Sequence, residues 1–101
     1  MAMTPEARVK KRVVEILKAR KVYYFYPVTG GFGRSGVPDI ICCYEGRFLG
    51  IECKAGKNKP TPLQRAEIFK IEQAGGWTLV INEDNINDVA LTLQLLEKAN
   101  D

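Results

Sequence analysis

The 101-residue sequence contains no histidine. That absence excludes histidine-ligated metal nucleases, Ser-His-Asp hydrolysis and any histidine general base. Chemistry on this chain must run through carboxylates, lysine, tyrosine, water or a metal ion. Cysteine is scarce too, with Cys42, Cys43 and Cys53 as the three. They lack zinc-ligand spacing. All three fall in strand-like runs and read as small buried apolar residues in a reducing compartment, without disulfides. No stretch approaches the ~20 apolar residues of a membrane span. No signal peptide precedes the first charged helix, so a non-secreted, cytoplasmic protein is expected. A strong charge is also missing, since the net charge is only +3.

What charge there is lies unevenly. Lys10, Lys11 and Arg12, then Lys18, Arg20 and Lys21, then Lys54, Lys57 and Lys59 form basic clusters, while acids gather toward the C-terminus. A basic first half suggests an anionic partner; solvated helix faces would look the same. The length suits one domain over residues 1–101 with a single core.

Thr4-Pro5-Glu6 starts a helix, with Thr4 as N-cap and Pro5 in the first position. Val9, Val13, Ile16 and Leu17 form its apolar stripe, and it should end near Lys21. Val22 to Val28 reads as an aromatic strand, and Thr29 to Gly36 as a glycine-rich loop. Ile40 to Tyr44 and Arg47 to Ile51 are strand-like runs around a turn at Glu45-Gly46. Thr61-Pro62-Leu63-Gln64 is a capping box with proline at N1. The helix it opens should run to about Ala74 and stop at Gly75-Gly76. Trp77 to Ile81 is a short strand, and Asn85 or Asn87 should cap a last helix reaching about Ala99. The order αβββαβα implies an α/β fold: a mixed four-stranded sheet flanked by helices, with a parallel crossover from the Glu52 strand to the Trp77 strand.

The hairpin carries the chemistry. A two-residue turn pairs Tyr44 with Arg47, and counting outward puts Asp39 opposite Glu52. Opposed side chains share a face, with Cβ atoms roughly 4.5–5.5 Å apart. Lys54, two residues beyond Glu52, shares that face. Two carboxylates forced together need a proton or a cation between them. Hard oxygen ligands at that spacing suit Mg²⁺, and the lysine adds a point charge for a phosphate or an attacking water. This is the equipment of metal-assisted phosphodiester hydrolysis.

The pattern resembles the PD-(D/E)xK nuclease superfamily, and within it a stand-alone VRR-Nuc domain related to Holliday-junction resolvases. Gly36-Val37-Pro38-Asp39, Ile51-Glu52-Cys53-Lys54, Thr61-Pro62-Leu63-Gln64 and Glu6-Ala7-Arg8-Val9 carry the resemblance. It implies a restriction-endonuclease-like core in a bacterial or phage-infected host cell. It implies Mg²⁺ or Mn²⁺ held by Asp39 and Glu52, with Glu6 and the backbone carbonyl of Cys53 as further ligands. Lys54 would position water or stabilise transition-state charge, and Gln64 would line the active site, although its capping role is sufficient reason for it. Helical phase also favours Glu6 over Glu15 as the third acid, since Glu6 falls within the arc of Val9, Val13 and Leu17. Arg34, Ser35, Lys57 and Lys59, on loops beside the site, are candidate nucleic-acid contacts. The resemblance further implies branched DNA, especially four-way junctions, cut by a homodimer. Other nucleic-acid substrates (flaps, single strands, RNA) and a non-catalytic binding module remain as alternatives.

Overall fold

A computed structural model describes residues 3–28 and 33–99. The elements run α1 (Pro5–Ala19), β1 (Tyr23–Phe25), β2 (Ile40–Tyr44), β3 (Arg47–Cys53), α2 (Pro62–Gln73), β4 (Trp77–Ile81) and α3 (Asn87–Lys98). The sheet order is β1-β2-β3-β4; β1 and β2 are antiparallel, as are β2 and β3, while β3 and β4 are parallel. The αβββαβα order and the mixed sheet expected from the pattern are thus present.

Helix α1 begins where a cap is available: Thr4 Oγ1 accepts from the Ala7 N–H at 3.1 Å, and Pro5 follows without an N–H to orphan. It ends two residues earlier than expected. Lys21 takes a left-handed φ of 58°, and its N–H donates to the Lys18 carbonyl. Helix α2 carries the full capping box, with Thr61 N–H donating to Gln64 Oε1 at 2.9 Å and Gln64 N–H to Thr61 Oγ1 at 3.2 Å.

Two expectations need correction. The aromatic strand spans only Tyr23–Phe25, because β1 is an edge strand whose partner offers three pairing positions, Cys43, Cys42 and Ile41. Neither Asn85 nor Asn87 caps α3 with its side chain. The Asn85 amide instead closes the end of β4, accepting from Asn82 N–H at 2.7 Å and donating to the Val80 carbonyl at 3.0 Å. The glycine-rich loop is described only from Gly33 on; Thr29, Gly30, Gly31 and Phe32 lie outside the described residues.

Strand alternation divides the sheet into two faces. Ile40, Cys42, Leu49, Ile51, Cys53 and Ile81 point to one face, where Val9, Val13 and Leu17 of α1 and Val89, Leu93 and Leu96 of α3 bury them almost completely. Helix α2 lies on the other face, where Ile71 reaches Gly50. Cys42 and Cys53 are buried as expected, and burial pushes both thiols up to about 12. Cys43 is exposed, contrary to expectation, because the period of 2 turns it away from its buried neighbour Cys42. No helix among the described residues is long and apolar enough to cross a membrane.

Candidate active site

The site is fixed by one turn. Glu45 and Gly46 have φ values of 52° and 76°, the signature of a two-residue type I′ hairpin. Tyr44 therefore pairs with Arg47, and the ladder runs unbroken to Ile40 opposite Ile51. The next step outward brings Asp39 to Glu52, on the α2 face. The site lies where the parallel strands β3 and β4 end, which is where open α/β sheets bind ligands.

Asp39 is held by the strand it faces: its Oδ2 accepts from Cys53 N–H at 2.8 Å. The Asp39 carboxylate takes the Cys53 N–H at the end of the ladder. In this register Pro38 would be the next ladder partner of Cys53, and proline has no N–H to give to the Cys53 carbonyl. The Cys53 carbonyl projects toward the same side of the strand and receives no ladder donor from Pro38. Pro38 itself is buried against Gly50, where an added Cβ would come within 2.9 Å of its ring. Hence the glycine in β3 lets the proline, and Asp39 after it, approach the sheet.

Glu52 is the most buried acid, 2% exposed. Its Oε2 pairs with Lys54 Nζ at 3.2 Å, while its buried Oε1 has no hydrogen-bond partner among the described residues. Burial first, and the neighbouring Asp39 charge second, push the Glu52 carboxyl up to about 7, against the opposing pull of Lys54. A buried carboxylate oxygen without a donor is costly. A hard divalent cation between Glu52 and Asp39 would satisfy it, so the residues present fit such an ion. Lys54 is the third group gathered here, and its side chain is only 12% exposed.

Glu6 does not join them. It lies in the exposed first turn of α1, ahead of the buried arc that begins at Val9, rather than pointing at the sheet. Its charge is felt at the Cys53 thiol. Cys53 faces the core beside α1, whereas Glu52 lies on the opposite face of the sheet. Among the described residues no three acids or cysteines are close enough to form a metal cluster. Glu15 is exposed as well.

Gln64 gives its side-chain carbonyl to the capping box. Arg34 Nε and Nη2 donate to Glu67 Oε1 and Oε2 at 2.8 and 3.0 Å, a bidentate pair. Glu67 is the other buried acid, and Arg34, above all through these hydrogen bonds, holds its carboxyl below the usual range. The sequence reading missed Glu67; its position one helical turn after Gln64 was the available signal. Ser35 stays exposed in the adjoining turn. Lys57 and Lys59 are exposed and line a shallow groove with Asn58, Val80 and Asn82. Since Val80 pairs with Glu52 across β3 and β4, this groove opens beside the carboxylates.

A solved structure titled "VRR_NUC domain protein" superposes with a TM-score of 0.73 at 24% identity, over 94% of this chain and 92% of that one. The chain has the fold of that VRR_NUC domain. A second structure, titled "VRR_NUC domain", superposes at a TM-score of 0.68 and 23% identity, covering 95% of this chain and 94% of its own. In sequence, the chain is 29% identical over 91 residues to "Putative nuclease p44" of Acyrthosiphon pisum secondary endosymbiont phage 1, spanning 88% of this chain and 95% of the relative. No protein-family model matches the chain.

Proposed function

We propose that this chain is a nuclease of the VRR_NUC type: a divalent-metal-dependent endonuclease that hydrolyses DNA phosphodiester bonds at the Asp39–Glu52–Lys54 site. The observation that carries the reading is the buried, unpartnered Glu52 Oε1 beside Asp39. The relative named as a nuclease supports the reaction class.

Asp39, Glu52 and the Cys53 carbonyl would hold Mg²⁺ or Mn²⁺, with Glu6 reaching in by a rotamer change at the open end of the sheet. When bound, the ion supplies Lewis acidity and lowers the pKa of water, which replaces the histidine base the chain lacks. The Cys53 N–H holds one oxygen of Asp39, and the other would be left for the ion. Glu52 contributes its charge from a buried position, where electrostatic interactions are strong. Lys54, beside Glu52, would stabilise the charge that develops on the phosphate oxygens or orient the attacking water. Gln64 would line the site through its amide nitrogen, which the capping box leaves free. Lys57, Lys59 and Ser35 would contact flanking phosphates; Arg34 would do so only on leaving Glu67.

Branched DNA is the proposed substrate and a C2 homodimer the proposed working form, because a four-way junction needs two related cuts and one domain offers one site. Leu91 and Leu95, each 55% exposed and four residues apart on α3, supply an apolar stripe for the dimer. The test is a panel of labelled linear, flap and four-way DNA with Mg²⁺, Mn²⁺ or EDTA. Metal-dependent cleavage, strongest on the four-way junction, is expected. Equal cleavage of all substrates would remove the branch selectivity, and no cleavage with either metal would remove the nuclease.

A further inference from the structure

Among the described residues, the α2 face of the sheet is only half covered. Helix α2 sits over β3 and β4, and among the described residues no helix lies over β1 and β2 on that side. The register arranges this open half in rows. Tyr23, Cys43 and Phe48 form one row, Phe25, Ile41 and Gly50 the next, and Asp39 and Glu52 the row after that. Rows two residues apart along a strand are separated by ~7 Å. The aromatic residues of the first two rows stay exposed: Tyr23 at 68%, Phe25 at 47% and Phe48 at 43%. Tyr24, one residue between them, turns to the other face and packs against the core. The alternation thus places two aromatic side chains in line with the carboxylates, at one and two row spacings.

We propose that this surface is a stacking platform for unpaired DNA bases adjoining the scissile phosphate. Phe25 takes the first base and Tyr23 the second. The platform rests on the nuclease reading of the site, which it deepens by specifying a single-stranded flank. Its spacing matches the step of an extended polynucleotide, and base–aromatic stacking tolerates any sequence. Continuity with the carboxylate row selects nucleic acid over another protein. So does size: aromatic side chains of about 150–250 Å² each, half exposed, offer on the order of 300 Å², well short of the ~800 Å² per partner in a stable protein interface. The rings Tyr23 and Phe25 stand edge-on at 6.4 Å between centroids, so a base can lie against either one.

Binding of fluorescein-labelled oligothymidylate in EDTA, followed by anisotropy, tests the platform without cleavage. Phe25→Leu keeps an apolar side chain without an aromatic face, and Phe25→Tyr keeps the face. Phe25→Leu should weaken binding by about 5- to 100-fold, Tyr23→Leu should weaken it less, and Phe25→Tyr should bind as wild type. A blunt duplex of equal length should bind all of them alike. Unchanged oligothymidylate affinity in Phe25→Leu and Tyr23→Leu, or equal losses on the duplex, would overturn the platform. So would no binding by wild type, or a wild-type dimer in sedimentation that these variants convert to monomer, which would make the face a contact between copies. Ring-dependent binding without metal-dependent cleavage would leave the platform standing and remove the nuclease reading instead.

Discussion

Glu52 owes its properties to opposed demands on one side chain. Its strand lies between two others, so burial disfavours its charge, and Asp39 across the hairpin disfavours it further. Its folded pKa of about 7 stands above the ordinary carboxylate value of 4.5. The sign of the linkage follows: the folded chain binds the proton more tightly than the unfolded one. Glu52 therefore contributes stability that is full below pH 4.5 and is lost as pH rises through about 7. In that window, without metal, this one group should lower unfolding free energy by about 1.4 kcal/mol per pH unit. Glu52→Gln, which mimics the protonated form, should flatten the loss, as thermal melts in EDTA at pH 5 and pH 8 would show. A parallel fall in the variant would mean that Glu52 is not the group responsible. Lys54→Ala should lose cleavage by about 100- to 1,000-fold while the protein stays folded. Cleavage at the wild-type rate would deny Lys54 its role.

At the scale of elements, one close approach helps to place the Asp39 loop. Gly36 has a φ of +80°, and an added Cβ would lie 2.8 Å from the Leu63 carbonyl oxygen. Backbone strain and clash coincide there, so Gly36→Ala should cost at least about 1–3 kcal/mol in denaturant unfolding. Gly46→Ala shares the positive φ but meets nothing within 4 Å, and should cost less. Equal losses would show that the Leu63 contact is unimportant. The elements themselves were largely legible in the sequence. Thr4-Pro5 and Thr61-Pro62-Leu63-Gln64 are local chemistry, and the Glu45-Gly46 turn fixes a register that fixes a face. What was not legible depends on partners distant in sequence. Asn85 closes β4 rather than α3, Arg34 meets Glu67 across 33 positions, and Glu6 is exposed in the first turn of α1. Helical phase gives a direction around an axis; it does not say how far that axis lies from the strand end.

At the scale of the molecule, the two sheet faces carry different tasks. One is filled by α1 and α3 and contains the buried hydrophobic core. The other, half covered by α2 among the described residues, bears the carboxylates and the exposed rings. The pattern predicted the first face well, because burial follows alternation and helical period. The second was harder to read, since a polar site and an open surface look alike in sequence. If Lys57 and Lys59 contact phosphates, replacing both with alanine should weaken DNA binding at every sequence tested and make affinity less dependent on salt. An unchanged salt slope would return these lysines to plain surface charge.

The central claim is that Asp39 and Glu52 together hold a divalent cation. Calorimetric titration of Mn²⁺ tests it without a substrate. Wild type should bind; Asp39→Asn and Glu52→Gln should each lose the binding heat, and Lys54→Ala should retain it. Equal Mn²⁺ binding by all four proteins would contradict the account.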